Sequence, residues 1–349
     1  MSARRQAHCT GREYDAYKEV TVTKKFVFKT AGGKEFTFSI PEPANVNSFF
    51  VFSIYKAGST LLMMIMADVC KALRIPVIDF PAHLFGLGLA PKDLTDDINR
   101  LWRERGFAYT GFRSFFPSME FDFSKTKNIL LVRDPRDMLV SLYFSVKYSH
   151  PIPKLEQGEH PMTRERAALQ KIGIDQSVID KTYICRKYFQ DYMEHLPAAT
   201  TRVYRYEDIV FKKKEWIEDM LDFLGLKLRN QEIEAIAAKY DIRPEKEDPR
   251  KHIRQVIPGN YKFHLSRATI DKLNEVFRPV LHYFHYDSVM SMKMNSQAQR
   301  AESQRISGGP GGINDHIRRL ESDLEAMNQS WSWRITAPLR RFASYFTKV

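Results

Sequence analysis

Residues 49–65, FFVFSIYKAGSTLLMMI, place a lysine and a glycine between two apolar runs, the first typical of a buried strand and the second of a helix. A strand that ends in a tight turn and continues into a helix directs the first free N–H groups of the helix towards one point, which suits a phosphate. Gly58 lets the backbone approach an anion, Ser59 and Thr60 add hydroxyl donors, and Lys56 adds a positive charge. The stretch predicts an anion site, with ordinary helix capping as the alternative role of the two hydroxyl residues.

This turn differs from the P-loop of nucleoside triphosphatases. That motif has four residues between its two glycines and places its lysine directly after the second one. Here Lys56 precedes Gly58, the one glycine of the turn. Since no clear magnesium-binding carboxylate follows a strand either, the sequence argues against a nucleotide-dependent kinase, which we keep as an alternative function.

A second strand and helix carry another candidate anion contact. In LLVRDPRDMLVSLYF, residues 130–144, Arg133 ends the strand, Asp134 is the predicted N-cap, Pro135 takes the first helical position, and Asp137 follows the cap by three. An arginine offers two parallel donors to a phosphate, and Ser141, just over two turns on, adds a hydroxyl. Pairing of Arg133 with Asp134 or Asp137 is the purely structural alternative.

Further elements repeat the alternation of strand and helix. TRVYRY, residues 201–206, is a third predicted strand and is followed by a helix through EWIEDMLDFLGL, residues 215–226. The alternation predicts an α/β fold with a central, mostly parallel sheet flanked by helices, whose ligands bind at the carboxyl ends of the strands. Residues 20–40 alternate apolar and polar around Ala-Gly-Gly and predict an N-terminal β-hairpin.

The chain divides into four predicted regions. Residues 1–47 form an extension with the hairpin, and residues 48–290 form the main domain. Residues 295–312 are polar and glycine-rich and predict a flexible linker. Residues 313–349 predict a helical, aromatic and basic tail that could contact a membrane surface. Apolar residues in 313–327 recur at heptad spacing, which suggests a homo-oligomer, with a helix packed on the main domain as the alternative.

The composition favours an anionic partner. The formal net charge is +12 and the pI about 9.4. Basic residues are interleaved with acidic ones rather than gathered in a stripe, which argues against a nucleic-acid partner. The three cysteines are far apart, which fits a reducing compartment and no metal site. No secretory signal precedes the domain and no apolar run reaches about 20 residues, so we expect a cytoplasmic protein, with the tail as a candidate contact to the inner membrane.

Four stretches, in order, resemble one family. YKAGST is similar to the 5′-phosphosulfate loop of sulfotransferases that use 3′-phosphoadenosine 5′-phosphosulfate (PAPS), and LLVRDPRDMLVSLYF is similar to their 3′-phosphate motif. VYRYEDIVFKKKEWIEDMLDFLGL resembles their Tyr-Glu-Asp segment, and IRQVIPGNYKFHLS their late phosphate loop. The matches span about residues 48–285. The resemblance implies the P-loop-like sulfotransferase fold, PAPS as donor, adenosine 3′,5′-bisphosphate (PAP) as product, and no metal.

The resemblance also implies roles for individual residues. Lys56 stabilises the leaving phosphate, and Tyr206 lies near the adenine. Leu61 stands where the family often has a stacking aromatic residue, and Val256 stands where it often has glycine. The residues implied in donor binding are Lys56, Ala57, Gly58, Ser59, Thr60, Arg133, Ser141, Tyr206, Arg254, Gln255 and Val256.

The acceptor and the general base are less defined. Family members that act on glycans can place their base in the region of IPVIDFPAHLFGLG, and no histidine precedes the second strand where the small-molecule members have one. We therefore predict His83 as the base, with Asp79 and Glu120 as alternatives and a packed core histidine as the structural role. A carbohydrate acceptor, such as a glycan or glycolipid, is predicted, and a small alcohol, phenol or amine is the alternative.

Overall fold

A five-stranded sheet forms the centre of the protein. Its strands lie in the order β4-β5-β3-β6-β7, and every neighbouring pair is parallel. The strands are β3 (Phe49–Ser53), β4 (Val77–Ile78), β5 (Ala108–Phe112), β6 (Lys127–Val132) and β7 (Thr201–Arg205). The computed structural model describes residues 22–152, 158–244, 248, 250 and 254–287.

Helices connect the strands and flank the sheet. They are α1 (Ser59–Leu73), α2 (Phe80–Gly86), α3 (Pro135–Phe144), α4 (Pro161–Leu169), α5 (Ile174–Asp180), α6 (Thr182–His195), α7 (Tyr206–Ile209), α8 (Lys213–Leu224), α9 (Asn230–Tyr240), α10 (Tyr261–His264), α11 (Arg267–Val276) and α12 (Arg278–Tyr283). A π-helical turn, Ser145–Ser149, directly follows α3. The predicted α/β class, with a central parallel sheet between helices, is confirmed.

The central strands are apolar because both faces of the sheet are covered. All five residues of β3 are buried, and β3 lies between β5 and β6. Strands of parallel sheets read as continuous apolar runs for this reason. Beyond β3, the Ile54 N–H still donates to the Leu131 carbonyl at 3.0 Å, so the register extends to the start of the turn that holds Lys56.

The two predicted strand-to-helix junctions are present. α1 begins at Ser59, directly after Gly58 of the turn. α3 begins at Pro135, and the Asp134 carboxylate accepts from the Arg136 N–H at 2.9 Å, so Asp134 is the N-cap. Asp137 does not complete a capping box, because its carboxylate accepts from the backbone of residues 259 and 261 instead.

The predicted N-terminal hairpin is also present, as a separate two-stranded sheet. β1 (Val22–Lys29) and β2 (Glu35–Pro41) pair antiparallel. The Phe36 ring lies 6.3 Å from that of Phe80 at the start of α2, and the Phe38 ring lies 5.0 Å from it. The hairpin therefore packs on α2 through aromatic side chains, and its two strands are not part of the parallel sheet.

Several predictions fall outside the described residues. The linker at 295–312, the tail at 313–349 and oligomerisation through 313–327 all lie there, and they stay predictions together with membrane contact and the cytoplasmic location. In the part of the chain that the structure describes, no helix is both long and apolar enough to cross a bilayer. Within that same part, no three His, Cys, Asp or Glu side chains are grouped so that they could hold a metal ion.

Candidate active site

The turn between β3 and α1 presents the start of a helix without a side-chain cap. Lys56 has φ 63° and Gly58 has φ 93°, both in the left-handed region, so the chain reverses within three residues. Gly58 is the N-cap and contributes no side-chain hydrogen bond. A Cβ on Gly58 would lie 3.0 Å from Cδ2 of Tyr206, so glycine is needed for close packing as well as for φ. The first N–H groups of α1 are therefore left for an anion.

Lys56 lies where three arginines converge. Its Nζ donates to Ser145 Oγ at 2.9 Å, in the π-helical turn after α3. Burial, together with the charges of Arg113, Arg133 and Arg254, lowers the pKa of Lys56 to about 7. Burial is the main cause, and the three arginine charges add to it, so Lys56 lies in a region of positive potential.

Arg133 leaves the end of β6 and contacts both the lysine turn and α3. Its Nη1 donates to the Lys56 carbonyl at 3.4 Å, and its Nη2 lies 3.5 Å from Asp137 Oδ2. The guanidinium lies 4.5 Å from the centroid of the Tyr206 ring. The predicted pairing with Asp137 therefore exists, whereas Asp134 pairs with Arg136 at 2.6 Å. Arg133 Nε is buried and has no hydrogen-bond partner among the described residues.

The late loop, residues 254–260, packs beside this arginine. Arg254 is buried, and its Nη2 donates to Asn260 Oδ1 at 2.7 Å. Its guanidinium lies 4.5 Å from the Phe144 ring centroid. Gln255 Nε2 is a second buried donor with no partner in the described chain. The Val256 carbonyl accepts from the Tyr206 hydroxyl at 3.3 Å, which ties the loop to the ring that packs on Gly58.

Arg113 contacts the lysine turn and acts through its charge on the Asp79 carboxylate. It follows β5, and its Nε donates to Ser59 Oγ at 3.2 Å. The charge of Arg113 acts on the pKa of both Lys56 and Asp79. Asp79 caps α2 by accepting from the Ala82 N–H at 2.9 Å. Burial raises the pKa of Asp79 to about 6, which exceeds the opposing effects of that hydrogen bond and of Arg113.

Asp79 fits against β5 because a glycine faces it. Gly111 has φ 87°, and a Cβ there would lie 2.0 Å from Asp79 Oδ1. Any other residue at this position would displace the carboxylate. The close approach of β5 to the start of α2 therefore fixes where Asp79 lies.

His83, the predicted base, lies on α2 against the hairpin. Its ring centroid is 5.1 Å from that of Phe38 and 6.3 Å from that of Phe36. Burial lowers the pKa of His83, and Nε2 is buried with no partner in the described residues. Glu120, the other alternative, is exposed, and its backbone N–H donates to Asn99 Oδ1 at 2.8 Å.

The structure thus brings most of the predicted donor-binding residues to one edge of the sheet. Lys56, Arg133, Tyr206 and Arg254 interact directly or through their charges, while Ala57 is fully buried and Ser141 is half-buried on α3. Ser145, the hydrogen-bond partner of Lys56, was not among the predicted site residues. A signal existed, because Ser145 follows Ser141 by four residues and so continues the same helix face.

Comparisons with known proteins give several similar chains. The chain is 22% identical over 178 residues to a 3-beta-hydroxysteroid sulfotransferase of Cavia porcellus; the match covers 47% of this chain and spans 58% of that relative's length. A mouse sulfotransferase in complex with PAP has a TM-score of 0.46 at 14% identity, over 69% of this chain and 86% of that one.

A sulfotransferase from Alicyclobacillus acidocaldarius has a TM-score of 0.38 at 14% identity, over 72% of this chain and 98% of that one. Residues 113–285 match the family model described as the sulfotransferase domain. Over these residues the chain is similar to the sulfotransferase family.

Proposed function

We propose that the protein transfers a sulfuryl group from PAPS to a hydroxyl or amine of an acceptor. The observation that carries this proposal is the convergence of Arg113, Arg133 and Arg254 on Lys56 beside an uncapped helix start. Like charges gathered in a half-buried place destabilise the fold unless an anion compensates them. A donor with phosphates at its 3′ and 5′ positions matches two groups of cations at neighbouring strand ends.

The residues at this edge suit such a donor. Lys56, Gly58 and Ser59, with the first N–H groups of α1, are suited to the 5′-phosphosulfate. Arg133 and Arg254 are suited to the 3′-phosphate, with Ser141 as a further hydroxyl donor. The buried, unpartnered Arg133 Nε and Gln255 Nε2 support this fit, because buried donors are rarely left unsatisfied. We place the adenine near Tyr206.

The chain's own groups supply charge stabilisation and a base. The donor supplies an activated sulfuryl group; the acceptor oxygen or nitrogen forms the new bond to sulfur as the bond between sulfur and the leaving phosphate oxygen breaks. Lys56 and the helix start stabilise the negative charge that develops on that leaving oxygen. A carboxylate or imidazole takes the acceptor proton.

We propose Asp79 as that base and keep His83 as the alternative. Asp79 shares Arg113 with Lys56, and its pKa of about 6 leaves it ionised at neutral pH yet basic enough to accept a proton. His83 instead contacts the hairpin phenylalanines. Asp79→Asn should lower kcat about 100-fold or more with donor affinity unchanged, whereas His83→Gln should lower kcat less than about tenfold. The reverse pattern would assign the base to His83.

For the acceptor we propose a carbohydrate, such as a glycan or glycolipid. The net positive charge of the chain, +12, suits an acidic acceptor as well as the anionic donor. A small alcohol, phenol or amine is the second candidate, and the relative named as a 3-beta-hydroxysteroid sulfotransferase favours it. Radiolabelled sulfate transfer to a panel of oligosaccharides, glycolipids, sterols and phenols would separate the two classes.

Calorimetric titration with PAP tests the donor site directly. We expect dissociation constants on the order of micromolar for the wild type and weaker binding of ATP. Arg133→Ala should abolish measurable binding, while Arg100→Ala, a change in an exposed arginine paired with Asp97 near the hairpin, should not. If the folded wild type does not bind PAP, or binds ATP more tightly, the proposal is refuted.

A further inference from the structure

One buried carboxylate connects the two arginines of the proposed 3′-phosphate site. The Asp137 side chain is completely buried on the first turn of α3. Its Oδ2 accepts from the Gly259 N–H at 2.6 Å, and its Oδ1 accepts from the Tyr261 N–H at 2.8 Å. The same Oδ2 lies 3.5 Å from Arg133 Nη2. Asp137 therefore holds the late loop and the end of β6 at the same time.

The residue between those two N–H groups orients the second arginine. Asn260 lies between Gly259 and Tyr261, is buried, and accepts from Arg254 Nη2 through its Oδ1 at 2.7 Å. Because Asp137 fixes the backbone on both sides of Asn260, it also fixes the direction of the amide that holds Arg254. The chain of contacts runs from Arg133 through Asp137 and Asn260 to Arg254.

We propose that Asp137 is a positioning residue that sets the preference of the donor site for a 3′-phosphate. This inference rests on the proposed function. The weak geometry of its contact with Arg133 matters, because 3.5 Å is the limit of a hydrogen bond and leaves the guanidinium available to an anion. The two short backbone contacts, by contrast, are charge-assisted and hold the loop firmly. Asp137 thus makes its two strong hydrogen bonds with the loop backbone and only a weak one with Arg133.

The full-length Asp137→Asn variant tests the proposal. Its side-chain amide keeps one acceptor but directs N–H groups at a backbone N–H, so the loop loses one of its two anchors. We expect the affinity for PAP to fall about tenfold or more, while the affinity for adenosine 5′-phosphate stays within about twofold. The ratio of the two affinities is the readout, since a general loss of structure would weaken both ligands alike.

Two further variants complete the experiment. Asn260→Ala removes the amide that accepts from Arg254 Nη2 and leaves the contact of Arg254 Nη1 with His264 Nε2. It should lower the same ratio by about threefold or more. Asp68→Asn, in a carboxylate that pairs with Lys239 on α9, is the matched control and should leave the ratio unchanged. An unchanged ratio in folded Asp137→Asn overturns the proposal. If that variant does not fold, an unchanged ratio in Asn260→Ala overturns it.

The outcome is separable from that of the proposed function. A wild type that does not prefer PAP over adenosine 5′-phosphate contradicts the function itself. If the wild type has that preference and both Asp137→Asn and Asn260→Ala retain it, only the role of Asp137 is contradicted.

Discussion

At the scale of single residues, Lys56 has a strained backbone and an unfavourable electrostatic environment in the protein without ligand. It has a left-handed φ of 63°, which costs a non-glycine residue about 1 kcal/mol, and it lies near three arginines. Among the described residues, the Lys56 Nζ donates one direct hydrogen bond, to the neutral Ser145 hydroxyl. Strain and unfavourable charge at one residue are typical of groups whose role is to meet a ligand.

We predict that Lys56→Met stabilises the free protein. Because the pKa of Lys56 is lowered to about 7 in the fold, the unfolded chain binds more protons than the native protein between about pH 7 and 10.5. The free energy of unfolding of the wild type should therefore rise with pH in that window. Lys56→Met should gain on the order of 1–3 kcal/mol below pH 7, and the gain should shrink towards pH 10. Denaturant unfolding at several pH values measures it, and a gain independent of pH would contradict this explanation.

A second prediction concerns the pH dependence of donor-site binding. An anion raises the pKa of Lys56, so binding above pH 7 requires uptake of a proton. The affinity of the wild type for PAP should fall above pH 7 by up to about tenfold per pH unit. Phosphate groups are already ionised there, since their second pKa is about 6. Titrations from pH 6.5 to 9 should show this fall in the wild type and a flat profile in Lys56→Met; equal slopes in both would exclude Lys56 as its source.

At the scale of elements, the sequence predicted the junctions better than the sheet. The runs at residues 49–65 and 130–144 contain strand, turn and helix signals in one short window, and local backbone preferences decide such windows. β5 was missed because Gly111 interrupts its short apolar run, and glycine usually marks a turn. The glycine is there because Asp79 needs the space, a tertiary contact that the sequence does not display.

The packing of Tyr206 on the lysine turn leads to a prediction for Gly58→Ala. Alanine must adopt φ 93° and would place its Cβ 3.0 Å from the Tyr206 ring. The same ring packs against the Arg133 guanidinium. We expect a loss of about 1–3 kcal/mol in the free energy of unfolding and PAP binding at least about tenfold weaker.

Gly33→Ala is the matched control. Gly33 has φ 80° in the hairpin turn, and no heavy atom lies within 4 Å of a Cβ there. Gly33→Ala should lower the free energy of unfolding by about 1 kcal/mol and leave PAP binding unchanged. If both variants bind PAP alike, the contact between Gly58 and Tyr206 has no role in the site.

At the scale of the whole molecule, the sheet order shows what sequence reasoning could not supply. The hairpin and the alternation of strands with helices were predicted, but the order β4-β5-β3-β6-β7 was not. Strand order depends on which apolar faces meet, and several orders satisfy the same alternation. The same limit applies to the base: both Asp79 and His83 precede or lie on α2, and only packing reveals that one shares Arg113 with Lys56 while the other contacts the hairpin.

That packing predicts that the hairpin supports catalysis from a distance. Phe38 contacts Phe80 at 5.0 Å and His83 at 5.1 Å, so it holds α2, whose N-cap is Asp79. Phe38→Ala should cost about 2 kcal/mol of stability and lower kcat several-fold by loosening Asp79. PAP affinity should not change, because Phe38 contacts α2, whereas the donor-site residues follow β3, β6 and β7 or lie in the late loop. Val27→Ala, in a side chain of the same hairpin that is 49% exposed, should alter neither quantity. If Phe38→Ala lowers stability and leaves kcat at the wild-type value, then the hairpin only stabilises the fold, and Asp79 keeps its place through Gly111 and the cap of α2 alone.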